Sequence, residues 1–106
     1  MPAEVWRCLA NARDNIDAIL GARLREVRLF GSYARGQYDD ESDVDVLILV
    51  DRVDGHERDC VVDAVLRASV ASVRLSPLVL TVSQLDELRA RELILAEDLD
   101  REGIAL

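Results

Sequence analysis

The stretch Asp43–Val50, DVDVLILV, is the part of this chain that most constrains its fold. It is β-branched and apolar on both faces, so as a strand it has to be covered on both sides and belongs at the centre of a sheet. Yet it opens on two aspartates one residue apart. Side chains alternate along a strand. Asp43 and Asp45 are therefore expected on one side, roughly 7 Å apart by the rise per residue, with Val44 and Val46 turned the other way into the core. Two carboxylates held this close in a partly apolar setting repel each other. A divalent cation removes that repulsion, and oxygen ligands at this spacing suit magnesium.

The flanking sequence supplies the covering layers. Val5, Leu9, Ala12, Ile16, Ile19 and Leu20 recur at helical spacing, which predicts a helix that starts after Pro2 and ends at Gly21. Arg25–Phe30, REVRLF, alternates and reads as a short strand with Val27 and Leu29 on one face. Gly31 breaks it. Ser32–Arg35 reads as a brief helical turn closed by Gly36, and Gln37–Ser42 as an acidic loop in which Asp39, Asp40 and Glu41 are simply solvated. A helical pattern runs from Glu57 to Val73. Arg74–Val82, RLSPLVLTV, reads as a third strand, and Pro77, which has no N–H to give, puts it at an edge. Ser83, with Asp86 three residues on, is expected to cap a last helix buried through Leu85, Leu88, Leu95 and Leu99 and stopped by Gly103. The final Ile-Ala-Leu is expected to add a short strand. The order helix, strand, strand, helix, strand, helix makes a small α/β (α+β) sandwich with helices packed on a short sheet.

At 106 residues the chain is expected to form a single domain, residues 1–106. It holds no run near the ~20 apolar residues that span a bilayer. The N-terminus lacks a basic start followed by an apolar core, so a cytoplasmic protein is expected. Cys8 and Cys60 are in no Cys-x-x-Cys pair and His56 is the single histidine, which argues against zinc and for two reduced thiols. The net charge of −8 argues against direct nucleic-acid binding. It is unevenly spread: residues 1–35 carry four acids and six arginines, and the acidic excess lies after the glycine-serine turn. All thirteen basic residues are arginine, which excludes both a Schiff-base lysine and a P-loop lysine.

Gly31 and Ser32 complement the two aspartates. Glycine lets a backbone approach a ligand closely, and free N–H groups with the Ser32 hydroxyl can hold a phosphate, with Arg35 adding positive charge. An anion site beside a metal site points to a nucleoside triphosphate whose phosphates are bridged by magnesium.

GSYARG, ten residues from Tyr33 to Ser42, and then DVD resembles the signature of the nucleotidyltransferase superfamily that includes DNA polymerase β, and in particular its minimal (MNT) members. The closing EDLDREGIAL is similar to the end of such chains. The resemblance implies a small mixed β-sheet backed by helices, the polymerase β-like nucleotidyltransferase fold. It implies that Gly31 and Ser32 hold the β- and γ-phosphates of ATP, that Asp43 and Asp45 are catalytic and bind two Mg2+ ions, and that a nucleoside monophosphate is transferred with release of pyrophosphate. Proteins of this kind resemble the antitoxin half of a pair whose other half is a HEPN-type ribonuclease toxin. Transfer of AMP to a toxin tyrosine, within a complex with the toxin, is the implied action. The acidic surface suits a cationic partner.

One element of that pattern is missing. Active members carry a third carboxylate on the next strand, whereas Arg74, Ser76, Leu78 and Leu80 share that face here, and Asp86 and Glu87 fall in the following helix. A degenerate domain that silences its partner by binding alone therefore stands beside the enzyme, and transfer to a small molecule such as an aminoglycoside stands behind both. Of the remaining residues, His56 is expected exposed in a first helical turn, and Trp6 in the core or an interface. Tyr33 and Tyr38 are expected in ordinary packing or stacked near a base. Arg89 and Arg91 are expected to pair with nearby acids.

Overall fold

A computed structural model of the chain describes residues 1–91 and 104–106. Helix α1, Ala3–Leu20, buries Val5, Cys8, Leu9, Ala12, Ile16 and Leu20, the expected stripe with Cys8 added and Ile19 only partly covered. A 3-10 turn, Gly21–Arg23, leads into strand β1, Leu24–Phe30, in which Val27 and Leu29 are buried. A one-turn helix α2, Gly31–Arg35, follows, then the acidic loop, strand β2, Val44–Val50, and helix α3, Gly55–Ala68. Strand β3, Leu75–Thr81, helix α4, Val82–Ala90, and strand β4, Ile104–Ala105, complete the described elements.

The sheet order is β3-β2-β1-β4. β1 runs antiparallel to β2 and β4, and β2 runs parallel to β3, so the sheet is mixed, as the resemblance implied. β2 is central, and Pro77 lies on an edge strand. Val44, Val46, Ile48 and Val50 join one core with α1 and α3. Leu47 turns to the opposite face and is buried with Leu85 of α4, alongside Phe30, Leu49, Leu78 and Leu80. Adjacent residues Leu47 and Ile48 are thus both withdrawn from water, on opposite sides of one strand.

Several boundaries differ from the sequence reading. β2 begins at Val44, and Asp43 lies just ahead of it. α3 ends at Ala68 rather than Val73. Ser69 is extended there (φ −68°, ψ 148°), its hydroxyl accepts the Leu75 N–H at 3.0 Å, and Val70 pairs back onto Val73 in a tight turn. α4 is capped by Thr81 and Gln84 rather than by Ser83 and Asp86: the Gln84 N–H donates to Thr81 Oγ1 at 3.1 Å, and the Thr81 N–H donates to Gln84 Oε1 at 2.9 Å. The apolar positions read at Leu95 and Leu99 and the stop at Gly103 lie outside the described residues. His56 is exposed in the first turn of α3, and Arg89 and Arg91 pair with Asp86 and Glu87. Trp6 is 46% exposed on α1, not in the core. No helix among the described residues is long and apolar enough to cross a membrane.

α3 starts on a second reciprocal cap. Asp54 Oδ1 accepts the Glu57 N–H at 2.7 Å, and Glu57 Oε1 accepts the Asp54 N–H at 3.3 Å. The other Glu57 oxygen pairs with Arg23, which ties the turn after α1 to the head of α3. The Arg23 hydrogen bond, with the Asp54 N–H behind it, holds the Glu57 carboxyl down from its ordinary 4.5 to about 2. A depressed carboxyl stabilises the fold fully above its unfolded value and loses that contribution as pH falls through the folded one. Stability is therefore expected to drop as pH is lowered from about 4.5 towards 2. Glu57→Gln should flatten that part of the curve, read from urea midpoints across pH. In the core, Ile48→Ala should cost about 2–5 kcal/mol in the same melts.

Candidate active site

At Phe30 the chain leaves β1 extended (φ −139°) and turns at once into α2. The turn needs a positive φ at Gly31, +74°, and closes on Gly36 at +71°, whose N–H donates to the Ser32 and Tyr33 carbonyls. The antiparallel register pairs Phe30 with Asp45 and so brings the start of α2 over the head of β2. Contact is close: a Cβ built on Gly31 would run into the Asp45 carboxylate, with its Cγ at 3.1 Å. Glycine is required here twice, by conformation and by space.

Asp45 is half-buried, between the fully buried Val44 and Val46. Burial pushes its carboxyl above the ordinary value, the Asp43 charge pushes it further, and Arg35 opposes both. The two aspartates therefore feel each other electrostatically, and Arg35 of α2 acts on the inner one. Asp43 itself is exposed and pairs with Arg74, whose Nε donates to its Oδ1 at 3.0 Å. The expectation that strand alternation fixes Asp43 is replaced by a different device. Asp43 is outside the strand, and the Arg74 side chain holds it.

The acidic loop is exposed but ordered from within. Asp39 Oδ1 accepts the Glu41 N–H at 2.9 Å and the Ser42 hydroxyl at 3.2 Å, while the Asp39 N–H donates to Ser42 Oγ at 3.0 Å. Asp39 is thus a turn former, a role its place in an acidic run concealed. Tyr33 and Tyr38 stack on each other, ring centroids 4.1 Å apart and planes within 6°, and Tyr33 packs against the main core. On β3, Ser76 is the register partner of Asp45 and Leu78 that of Leu47. Among the described residues no group of three or more His, Cys, Asp or Glu side chains is placed to hold a metal ion. The structure thus brings Gly31, Arg35, Asp43 and Asp45 together, with Ser32 next in α2, and adds Arg74. The sequence held one signal for Arg74. A basic residue directly before a strand parallel to β2 falls level with the residue directly before β2.

The family model described as the nucleotidyltransferase domain matches residues 12–102. The chain belongs to this nucleotidyltransferase family. The domain is similar to two proteins of Methanocaldococcus jannaschii named as candidate protein adenylyltransferases. One is 55% identical over 47 residues, 44% of this chain and 48% of the relative. The other is 59% identical over 29 residues, 27% of this chain and 29% of the relative. The matched stretch thus spans about half the length of these curated relatives or less. Among solved structures, a toxin–antitoxin structure with AMP-PNP is similar at 25% identity and a TM-score of 0.56, covering 98% of this chain and 72% of that one. A candidate nucleotidyltransferase of Sulfolobus solfataricus shares the fold at 19% identity and a TM-score of 0.50, covering 99% of this chain and 86% of that one.

The Gly31–Asp45 contact makes a direct prediction for the nucleotidyltransferase domain. Gly31→Ala should cost about 1–3 kcal/mol for the positive φ alone, and more for the collision. In a double-mutant cycle read by denaturant melts, Asp45→Ala should recover the collision part. Strictly additive costs would rule the contact out.

Proposed function

We propose that this domain transfers AMP from ATP to a tyrosine of a HEPN-type ribonuclease partner and silences it, in the cytoplasm, where its two free thiols stay reduced. The carrying observation is the packing of the Gly31 backbone against the Asp45 carboxylate, which sets a turn suited to phosphate beside a pair of acids. The family match, the adenylyltransferase naming of the M. jannaschii relatives and the likeness to a toxin–antitoxin structure with AMP-PNP support the reading.

A magnesium ion fits the donor set. Asp45 is half-buried, the like charge of Asp43 repels its own, and both present hard oxygen ligands. Asp43 and Asp45 would hold it, and bound there it would stabilise the charge that develops on the phosphoryl oxygens. Gly31 and Ser32 take the β- and γ-phosphates, and Arg35 balances negative charge beside Asp45. The tyrosine oxygen forms a bond to the α-phosphorus as the bond from that phosphorus to the pyrophosphate oxygen breaks. Pyrophosphate and the phenolic proton leave. An added nucleotide on the toxin blocks RNA by charge and bulk. The net charge of −8 favours encounter with a cationic partner.

Ser76 beside Asp45, where a carboxylate would complete the set, favours a second reading, in which the domain binds its partner without transfer. Labelled transfer separates the two. With α-labelled ATP, magnesium and a HEPN-type partner, the enzyme labels the partner, and Asp43→Asn or Asp45→Asn lowers the label at least about a hundredfold. A tight complex without label, unchanged by either substitution, supports the binding reading instead.

A further inference from the structure

Arg74 stands one residue before β3 and is tied to the mouth of β2 at three points. Its carbonyl accepts the Val44 N–H at 2.8 Å. Its Nε donates to Asp43 Oδ1 at 3.0 Å, and its Nη2 donates to the Glu41 carbonyl. The Arg74 and Asp43 side chains are 61% and 54% exposed, and an ion pair this wet adds almost nothing to stability. Its effect is local and electrostatic instead. A guanidinium within hydrogen-bond distance of a carboxylate oxygen occupies directions an ion would use and repels a dication approaching the same group.

The charges around the site point the same way. Two divalent ions bring four positive charges. Beside the nucleotide's own phosphates the protein sets only Asp43 and Asp45 against them, and each already has an arginine acting on it: Arg74 on Asp43, Arg35 on Asp45. The strand position beside Asp45, where a carboxylate would add a third anion, is the neutral Ser76.

We infer that Arg74 stands in for one of two cations at Asp43, so that the site takes a single divalent ion with its nucleotide. The inference rests on the magnesium-nucleotide reading of the site given above. Arg74 is then a positioning residue. It orients the Asp43 carboxylate, tethers the acidic loop through Glu41, and sets the ion count through Asp43.

The test counts ions rather than turnover. The full chain with saturating AMP-PNP is titrated with Mn2+ by equilibrium dialysis, with electron paramagnetic resonance as the readout. The wild type should hold one Mn2+ per chain, with no coupling between spins. Arg74→Gln, at an exposed position, should admit a second Mn2+ about tenfold more tightly than the wild type does, the size expected on removing one unit charge from beside a dication near water dielectric. Arg74→Lys keeps the charge and should stay at one ion. Two coupled Mn2+ ions in the wild type, or an Arg74→Gln titration that superimposes on it, would overturn the inference and leave the nucleotide cradle standing. Absence of bound Mn2+ from wild type and variants alike would remove the cradle itself, and the inference with it.

Discussion

β2 is sealed from water on both sides at its midpoint, with Ile48 turned towards α1 and α3 and Leu47 towards α4. Everything around the site follows from that double burial. A strand covered on both faces cannot slip in register without carrying its whole apolar set to the wrong side. Asp45 is two residues from Leu47 on the same face, so its position is fixed by packing that has nothing to do with charge. Its carboxyl is held half out of water because the neighbouring valines must be fully out. The left-handed turn at Gly31 is the matching condition on β1, since only a residue without a side chain lets that strand end so close to the acid.

The two aspartates are consequently unequal. The inner one is shielded, raised by burial and by its neighbour, and met by Arg35. The outer one is wet, lies off the strand, and is steered by an arginine from the next strand's approach. A pair that looks symmetric as Asp-Val-Asp is two different environments, each with its own cation.

Local pattern made much of this architecture legible. The stripe of α1, the alternation of β1, the apolar run of β2 and the missing N–H of Pro77 each pointed to the element and place observed. The errors came where two signals competed. Val70–Val73 continued a helical apolar pattern, but the Ser69 hydroxyl claimed the Leu75 N–H and the chain turned. Thr81 closed a strand and capped a helix at once, so Ser83 only looked like the start. At the site, Gly31, Ser32, Arg35, Asp43 and Asp45 stood out by residue type and spacing. The contact between Gly31 and Asp45 and the hold of Arg74 on Asp43 depend on register across strands distant in sequence. No local pattern encodes that.

Trp6, the single tryptophan, lies half in solvent on α1, where it lines a shallow cavity with Leu9, Ala10, Arg13 and Leu106. Its ring is therefore already hydrated in the native chain. Intrinsic fluorescence will be a poor gauge of unfolding, but a sensitive optical reporter of anything that settles over that helix.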